Sequence, residues 1–334
     1  VKVDCYSTPQ IFDDIAEEWE ALLPDDRSDT LFTMPGWQKL WWEHLGSGQL
    51  AVLVVRDDDD DTLRGVASWF VTEQGSVHYV GCEDVVDYLD LVTTPEHADA
   101  VAEAVLAYML SEEAPEWQTI DLCNMPESSP SRQALSIAAK KAGLAAQMNV
   151  QEVCPVITLP DTYDAYLDNL DSKQRKELRR KRKRLAPYEV DCYLVGAEHD
   201  LDEEMEAFFE LMRASTPEKA AFLEEPGHRA LFQDVAQYTY EQGLLDLIML
   251  KFDGVRVAAM LQFGFHDRML LYNSGLKPGK YGSLSPGIVL LTFSIENAIE
   301  RGFVHYDFLR GDEEYKFRMG AEPTNIYNLR ITRA

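Results

Sequence analysis

This chain of 334 residues is short of several things. No run approaches ~18 consecutive apolar residues, which excludes a membrane-spanning helix. The opening "VKVDCYSTPQ" has neither a basic leader nor an apolar stretch, so no secretory signal is expected there. Cys5, Cys82, Cys123, Cys154 and Cys192 lie far apart and form no C-x-x-C pair. That argues against a zinc site or any other metal, and for reduced thiols in a cytoplasmic protein. Basic residues are few: 31 Lys and Arg face 58 Asp and Glu, giving a formal net charge of −27. The acids fall in surface-like runs such as "PDDRSD", "RDDDDDT" and "EHDLDEEMEA". Such self-repulsion is better tolerated when salt screens it, so a halophilic source with an acidic proteome is expected.

One stretch runs against this bias. "SKQRKELRRKRKRLAPY", Ser172–Tyr188, holds nine basic residues between Lys173 and Arg184 against one acid, Glu177, so it is +8 within a remainder of −35. As a helix it places Leu178 and Leu185 on one face and covers most of the rest with charge. Three roles stay open. The side chains can pair with the acidic body, they can recognise phosphate (with Arg175, Arg179 and Arg182 as candidates), or they can form a nucleic-acid arm, tRNA included. The acidic body would repel a polyanion beyond the patch, and no aromatics are interleaved for base stacking. Both facts argue against general DNA or RNA binding.

Hydrophobic periodicity gives the same element order twice, β-α-α-β-β-β-α-β-α-β. In the first half the strands fall at Lys2–Tyr6, Ala51–Arg56, Leu63–Thr72, Ser76–Val80, Thr119–Leu122 and Ala145–Thr158. Its helices are expected at Pro9–Leu22, Pro35–Leu45, Glu96–Ser111 and Ser131–Gly143. In the second half the strands fall at Glu189–Val195, Leu244–Phe252, Val255–Phe265, Arg268–Ser274, Phe303–Leu309 and Asn325–Thr332. Its helices are Leu201–Arg213, Gly227–Gln242, Pro286–Arg301 and a short one at Glu313–Arg318. Met205, Phe208, Phe209 and Met212 share one helical face, and Trp37, Trp41 and Trp42 have the helical spacing of core residues. Two domains are expected, 1–158 and 159–334, with a basic linking helix over 172–186.

At residue level, "YNSGLKPGKYGSLSPGIVLLTFSIENAIERGFVHYDFLRGDEEYKFRMG" resembles the CelD-like branch of GNAT acyltransferases, named for cellulose-biosynthesis proteins. The resemblance rests on Ser285-Pro286-Gly287 before a helix, "ERG" at its end, "YDF" in the next strand and then "GDEEYK". It extends more loosely to "YDAYLDNLDSKQRKELRRKRKRL", "FTMPGWQKLWWEHLG" and "DYLDL". It implies a tandem, duplicated GNAT fold (an α/β, mixed-sheet architecture) and transfer of an acyl group from acetyl-CoA or another acyl-CoA to an amine. The acceptor would be a small molecule or a cell-envelope or polysaccharide precursor, attacking the donor directly in a ternary complex. The familiar Q/R-x-x-G-x-G/A loop of GNAT enzymes is missing.

Each chemical need then has candidates. The loop 275–288 would hold the donor pyrophosphate: Gly282, Ser285, Gly287 and Ile288 lead into a helix whose first N–H groups and macrodipole favour an anion. Ser285 is alternatively a plain N-cap before a buried helix. An N–H near Asn273 or Ser274 would polarise the thioester oxygen. By the resemblance, Tyr315 protonates the leaving thiolate; it is otherwise a packing residue. Asp307 is either a base for the acceptor amine or a buried partner for an arginine such as Arg310 or Arg318. His305 shares its strand face, and Glu313 and Glu314 are alternative bases. Lys316, in "YKFRMG", resembles the lysine of the Y/F-K-x-x-aromatic-G motif of Fem peptidyltransferases, which are tandem GNAT folds that use aminoacyl-tRNA, and would hold a phosphate or carbonyl. The first half lacks a matching glycine loop, so its domain is expected to shape the acceptor side, with Asp87, Tyr88 and Asp90 as polar candidates. A Fem-like peptidyltransferase and a catalytically silent binding module are the alternative functions.

Overall fold

The computed structural model describes residues 1–23, 30–82, 85–277 and 279–333. The chain forms two units, one made of Val1–Glu152 with Asn325–Ala334, the other of Val153–Thr324.

The first unit contains β1 (Lys2–Tyr6), α1 (Ile11–Asp14), α2 (Ala16–Leu22), α3 (Pro35–Leu45), β2 (Gln49–Arg56), β3 (Leu63–Val71), β4 (Ser76–Tyr79), β5 (Val92–Thr93), α4 (Ala98–Met109), β6 (Thr119–Pro126), α5 (Pro130–Lys141) and the start of β7 (Leu144–Thr158). The helix expected over Pro9–Leu22 is two helices, broken where Ile15 leaves the helical region at φ −117°. Strands β2 and β3 are buried almost throughout, as their uninterrupted apolar runs require. Trp19, Trp37, Trp41 and Trp69 fill the core, while Trp42 is half-buried against Phe70. Cys82 and Cys123 are joined by a disulfide, with Cα atoms 6.1 Å apart, which corrects the expectation of five reduced thiols; Cys5, Cys154 and Cys192 are in no disulfide.

The second unit continues β7 from Val153 and adds α6 (Tyr163–Asn169), α7 (Ser172–Lys183), β8 (Val190–Leu194), α8 (Leu201–Ser215), α9 (Pro217–Glu224), α10 (His228–Glu241), β9 (Leu245–Phe252), β10 (Val255–Phe265), β11 (Arg268–Leu276), a 3-10 turn over Gly279–Leu284, α11 (Pro286–Glu300), β12 (His305–Asp307) and α12 (Glu314–Arg318). Last comes β13 (Glu322–Arg333), most of which belongs to the first unit. The expected face of α8 is in the core: Met205, Phe208, Phe209 and Met212 are all buried. Helix α9 was not expected, although "TPEK" is a recognisable start: Pro217 takes the first turn and the Thr216 side chain accepts from the Lys219 N–H.

Both units use one pairing plan. In the first, the order β1-β2-β3-β4-β6-β13 is antiparallel except for parallel β4–β6. In the second, β8-β9-β10-β11-β12-β7 is antiparallel except for parallel β11–β12. The sixth strand is exchanged between the units. The chain's last strand pairs with β6, and the strand that ends the first half pairs with β12 over Val156–Thr158. The second unit therefore ends at Thr324, not at residue 334.

Candidate functional site

The site is built where β11 outruns its neighbour. β12 pairs with β11 only over Arg268–Leu270, although β11 continues to Leu276. The strand expected over Phe303–Leu309 is only three residues long, because the chain turns at Leu309, whose φ is +55°. Past Leu270, β11 also carries a bulge. Gln262 of β10 pairs with Leu271 and Leu261 pairs with Asn273, leaving Tyr272 extra.

Beside this strand lies a cavity of about 370 Å³, lined by Met260, Leu271, Ser274, Leu276, Gly282, Ser285, Pro286, Gly287, Ile288, Leu291 and Tyr315. Six residues singled out in the sequence thus meet: Ser274, Gly282, Ser285, Gly287, Ile288 and Tyr315. The volume is within the range of small-molecule sites.

The start of α11 faces this space. The first helical N–H with a partner in the helix is that of Val289, which donates to Ser285 O at 3.1 Å. The N–H groups of Gly287 and Ile288 precede it and have no intrahelical acceptor. Ser285 does not cap them. It sits in the left-handed region at φ 56°, makes no side-chain cap, and its Oγ accepts a 2.7 Å hydrogen bond from Lys181 Nζ. Ser285 thus stands at the N-cap position of α11 without capping it through its side chain. A Cβ at Gly287 would stand 3.0 Å from Leu276 Cδ2, so a larger residue there would have to displace the Leu276 side chain.

Lys181 comes from the basic segment, which is helix α7. Asp171 caps it by accepting from Lys173 N and Gln174 N, and its last turn is basic, as the macrodipole favours. Leu178 is its buried residue, and Leu185 is buried just past its end, since the helix stops at Lys183 rather than at 186. The three expected phosphate ligands do not line the cavity. Arg175 pairs with Asp168 at 2.6 Å, Arg179 is exposed, and Arg182 is held by Glu296 (2.6 Å) and Thr292 between the rings of Tyr163 and Phe293. Glu177 pairs with Arg180 and Lys181, and those cations hold its carboxyl near 2, well below the usual range.

Tyr315 lines the cavity, its ring edge-on to Phe308 at 6.0 Å. Burial, helped by the Glu313 charge, pushes its phenol up to about 12, so it holds its proton at neutral pH. Lys316 points elsewhere. It is 3 % exposed, and its Nζ donates to the carbonyls of Leu309, Arg310 and Gly311 and pairs with Glu313 at 2.9 Å. Its protons are committed to clamping the loop after β12. Asp307 is 1 % exposed; one oxygen accepts from Leu309 N–H at 2.8 Å and the other lies 3.8 Å from Arg268. Arg268 is thus an arginine beside it that the sequence did not single out. The half-buried His305 has its pKa lowered by desolvation first and by Arg268 second.

A residue that sequence reasoning missed stands at the bulge. Lys219 Nζ, from α9, donates to Ser274 O at 2.6 Å and to Asn273 Oδ1 at 2.9 Å, and lies 3.4 Å from Ser274 Oγ. Asn273 Oδ1 also accepts the Ser274 N–H at 2.8 Å, so that N–H is already used. In the first unit, Asp87, Tyr88 and Asp90 are buried rather than solvated. Asp90 accepts from Leu91 N–H and the Tyr88 ring lies 6.4 Å from Phe32. Among the described residues no cluster of three or more His, Cys, Asp or Glu could hold a metal, and no helix is long and apolar enough to cross a membrane.

Residues 172–317, within the second unit, match the family model described as an acetyltransferase (GNAT) domain. No curated protein matches the chain by sequence. Solved structures match along its whole length. FemX is 12% identical with a TM-score of 0.67, covering 98% of this chain and 97% of that one. A conserved protein of unknown function from Bacteroides thetaiotaomicron is 12% identical with a TM-score of 0.62, covering 99% of each. L-PGS from Bacillus licheniformis is 10% identical with a TM-score of 0.58, covering 95% and 91%. At these identities the likeness is one of fold, and the fold is a mixed α/β architecture of two GNAT-type units in tandem.

Proposed function

We propose that the chain is an acyl-CoA-dependent N-acyltransferase of the CelD-like branch, with its donor site in the second unit. The observation that carries this is the open start of α11: the Gly287 and Ile288 N–H groups and the Lys181 ammonium gather at one end of a cavity that has a neutral Tyr315 on its wall. The first group suits a pyrophosphate and the second a leaving thiolate. The pantetheine arm would lie along the β11 edge that β12 leaves unpaired. The acceptor amine attacks the thioester carbon, the carbon–sulfur bond breaks, and the Tyr315 O–H protonates the sulfur. Of the N–H groups considered for the carbonyl oxygen, that of Asn273 is the remaining candidate. Asp307 and Lys316 act by fixing the loop between β12 and α12. Asp87, Tyr88 and Asp90 receive no donor role. A small-molecule or cell-envelope amine remains the proposed acceptor class, and cytoplasm the proposed location.

The whole-chain likeness to FemX motivates a second reading, an aminoacyl-tRNA donor. A thermal melt with and without acetyl-CoA tests the first. A ligand that binds only the native state raises the melting temperature by mass action, and no shift at saturating acetyl-CoA would sink the proposal.

A further inference from the structure

Lys219 has no role in the account so far, yet it lies against the wall of the donor cavity. Its ammonium touches two groups of β11 at the bulge, Ser274 O and Asn273 Oδ1, and Ser274 lines the cavity. These contacts set up a particular chemistry. A neutral amine has two N–H groups and one lone pair. The two N–H groups satisfy Ser274 O and Asn273 Oδ1, and the lone pair is left over. In the charged form the third proton has only Ser274 Oγ, at a long 3.4 Å. Both protonation states are thus accommodated, which is what a group that takes and returns a proton needs.

The electrostatics agree. Burial lowers the Lys219 pKa to about 8, against an opposing pull from Glu313, the one charged side chain that acts on it among the described residues. Helix α9 itself brings Glu218, which is exposed, and the facing groups of β11, Asn273 and Ser274, do not titrate. Glu313 also acts on Tyr315, which lines the cavity as Ser274 does, so one carboxylate charge is felt by both the lysine and the tyrosine.

We propose that Lys219 Nζ is the base that takes the proton of the attacking acceptor amine. The inference rests on the acyl-CoA reading and deepens it. The acceptor nitrogen forms its bond to the acyl carbon and loses its proton to Nζ, while the thiolate leaves with the proton of Tyr315. One proton is taken and one is given, and solvent exchange restores both groups.

The test uses the full chain labelled with carbon-13 at the lysine ε position. The Lys219 signal is identified by its absence in Lys219→Arg, a variant that keeps charge and donors but does not release a proton near neutral pH. The expected titration midpoint is about 8. A midpoint at the ordinary lysine value overturns the proposal whatever the acceptor is. In parallel, CoA release from acetyl-CoA is followed with n-butylamine as the acceptor probe. Lys219→Arg should bind CoA as the wild type does and lose turnover by about 10²-fold, the scale of general-base catalysis. Turnover within twofold of wild type, with the same pH profile, would make Lys219 a positioning residue and reject the base role. Loss of CoA binding in the variant alone would do the same. Failure of the wild type to bind CoA would instead reject the acyl-CoA reading on which the inference stands.

Discussion

Lys181 Nζ and Ser285 Oγ lie 2.7 Å apart, so one charge-assisted hydrogen bond joins the basic helix α7 to the first residue before α11. This bond brings one lysine of the cationic segment to the loop that precedes α11. Lys181 is turned inward to the loop that would receive an anion, and Arg182 is turned inward to α11. Exposed Arg179, Lys183 and Arg184 are left on the outer side.

Lys181→Met should therefore weaken CoA binding by about tenfold or more, the scale of a lost hydrogen bond to a charged group. Arg179→Met, on the exposed side, should change it by less than about twofold. Calorimetric titration of both variants checks this. Equal losses would mean that the helix acts as a diffuse field and not through Lys181.

Tyr315→Phe removes a proton donor and keeps the ring against Phe308. Turnover should fall by about 10²-fold or more while CoA affinity stays within about twofold. Because the phenol titrates only near 12, the wild-type rate should show no loss of its acid across the neutral and mildly alkaline range. A variant with undiminished kcat would remove Tyr315 from the chemistry.

The lowered pKa of Lys219 also has a consequence for stability. The folded value is about 8 and the ordinary value 10.5, so between them the unfolded chain binds more protons. Stability from this residue should rise as pH climbs through that window, with the full penalty present below it. Urea unfolding at either end of the window, wild type against Lys219→Met, isolates the effect. The wild type should gain on the variant towards alkaline pH, and a constant difference would show that the lysine is not desolvated.

The net charge of −27 calls for screening. We propose a halophilic setting, in which the melting temperature rises between dilute buffer and molar KCl. A flat or falling trend would count against it.

Much of the fold was legible because its signals are local. Pro286 after Ser285, followed by a long amphipathic run, marks the start of α11 in sequence as it does in structure, and Leu178 among charged neighbours marks the buried side of α7. What was not legible depends on contacts far apart in sequence. The exchange of β7 and β13 leaves each strand's own pattern unchanged, so no periodicity reports it. The bulge at Tyr272 is a matter of register with β10, and the left-handed turn at Ser285 runs against the usual preference for glycine. The link between Cys82 and Cys123 bridges 41 residues without a spacing motif. Lys219 was passed over because its importance comes from where α9 sets it down, against Asn273 and Ser274, and not from any residue beside it in the chain.

The most direct measurement of the central claim is a side-by-side titration in molar KCl of the wild type and Gly287→Trp with CoA, acetyl-CoA and a charged tRNA. A tryptophan at Gly287, where even a Cβ meets Leu276 at 3.0 Å, fills the start of α11. The account predicts micromolar binding of CoA and acetyl-CoA by the wild type, its loss in the variant, and no retention of tRNA. Retention of charged tRNA by a wild type that ignores CoA would contradict it and favour the Fem-like donor.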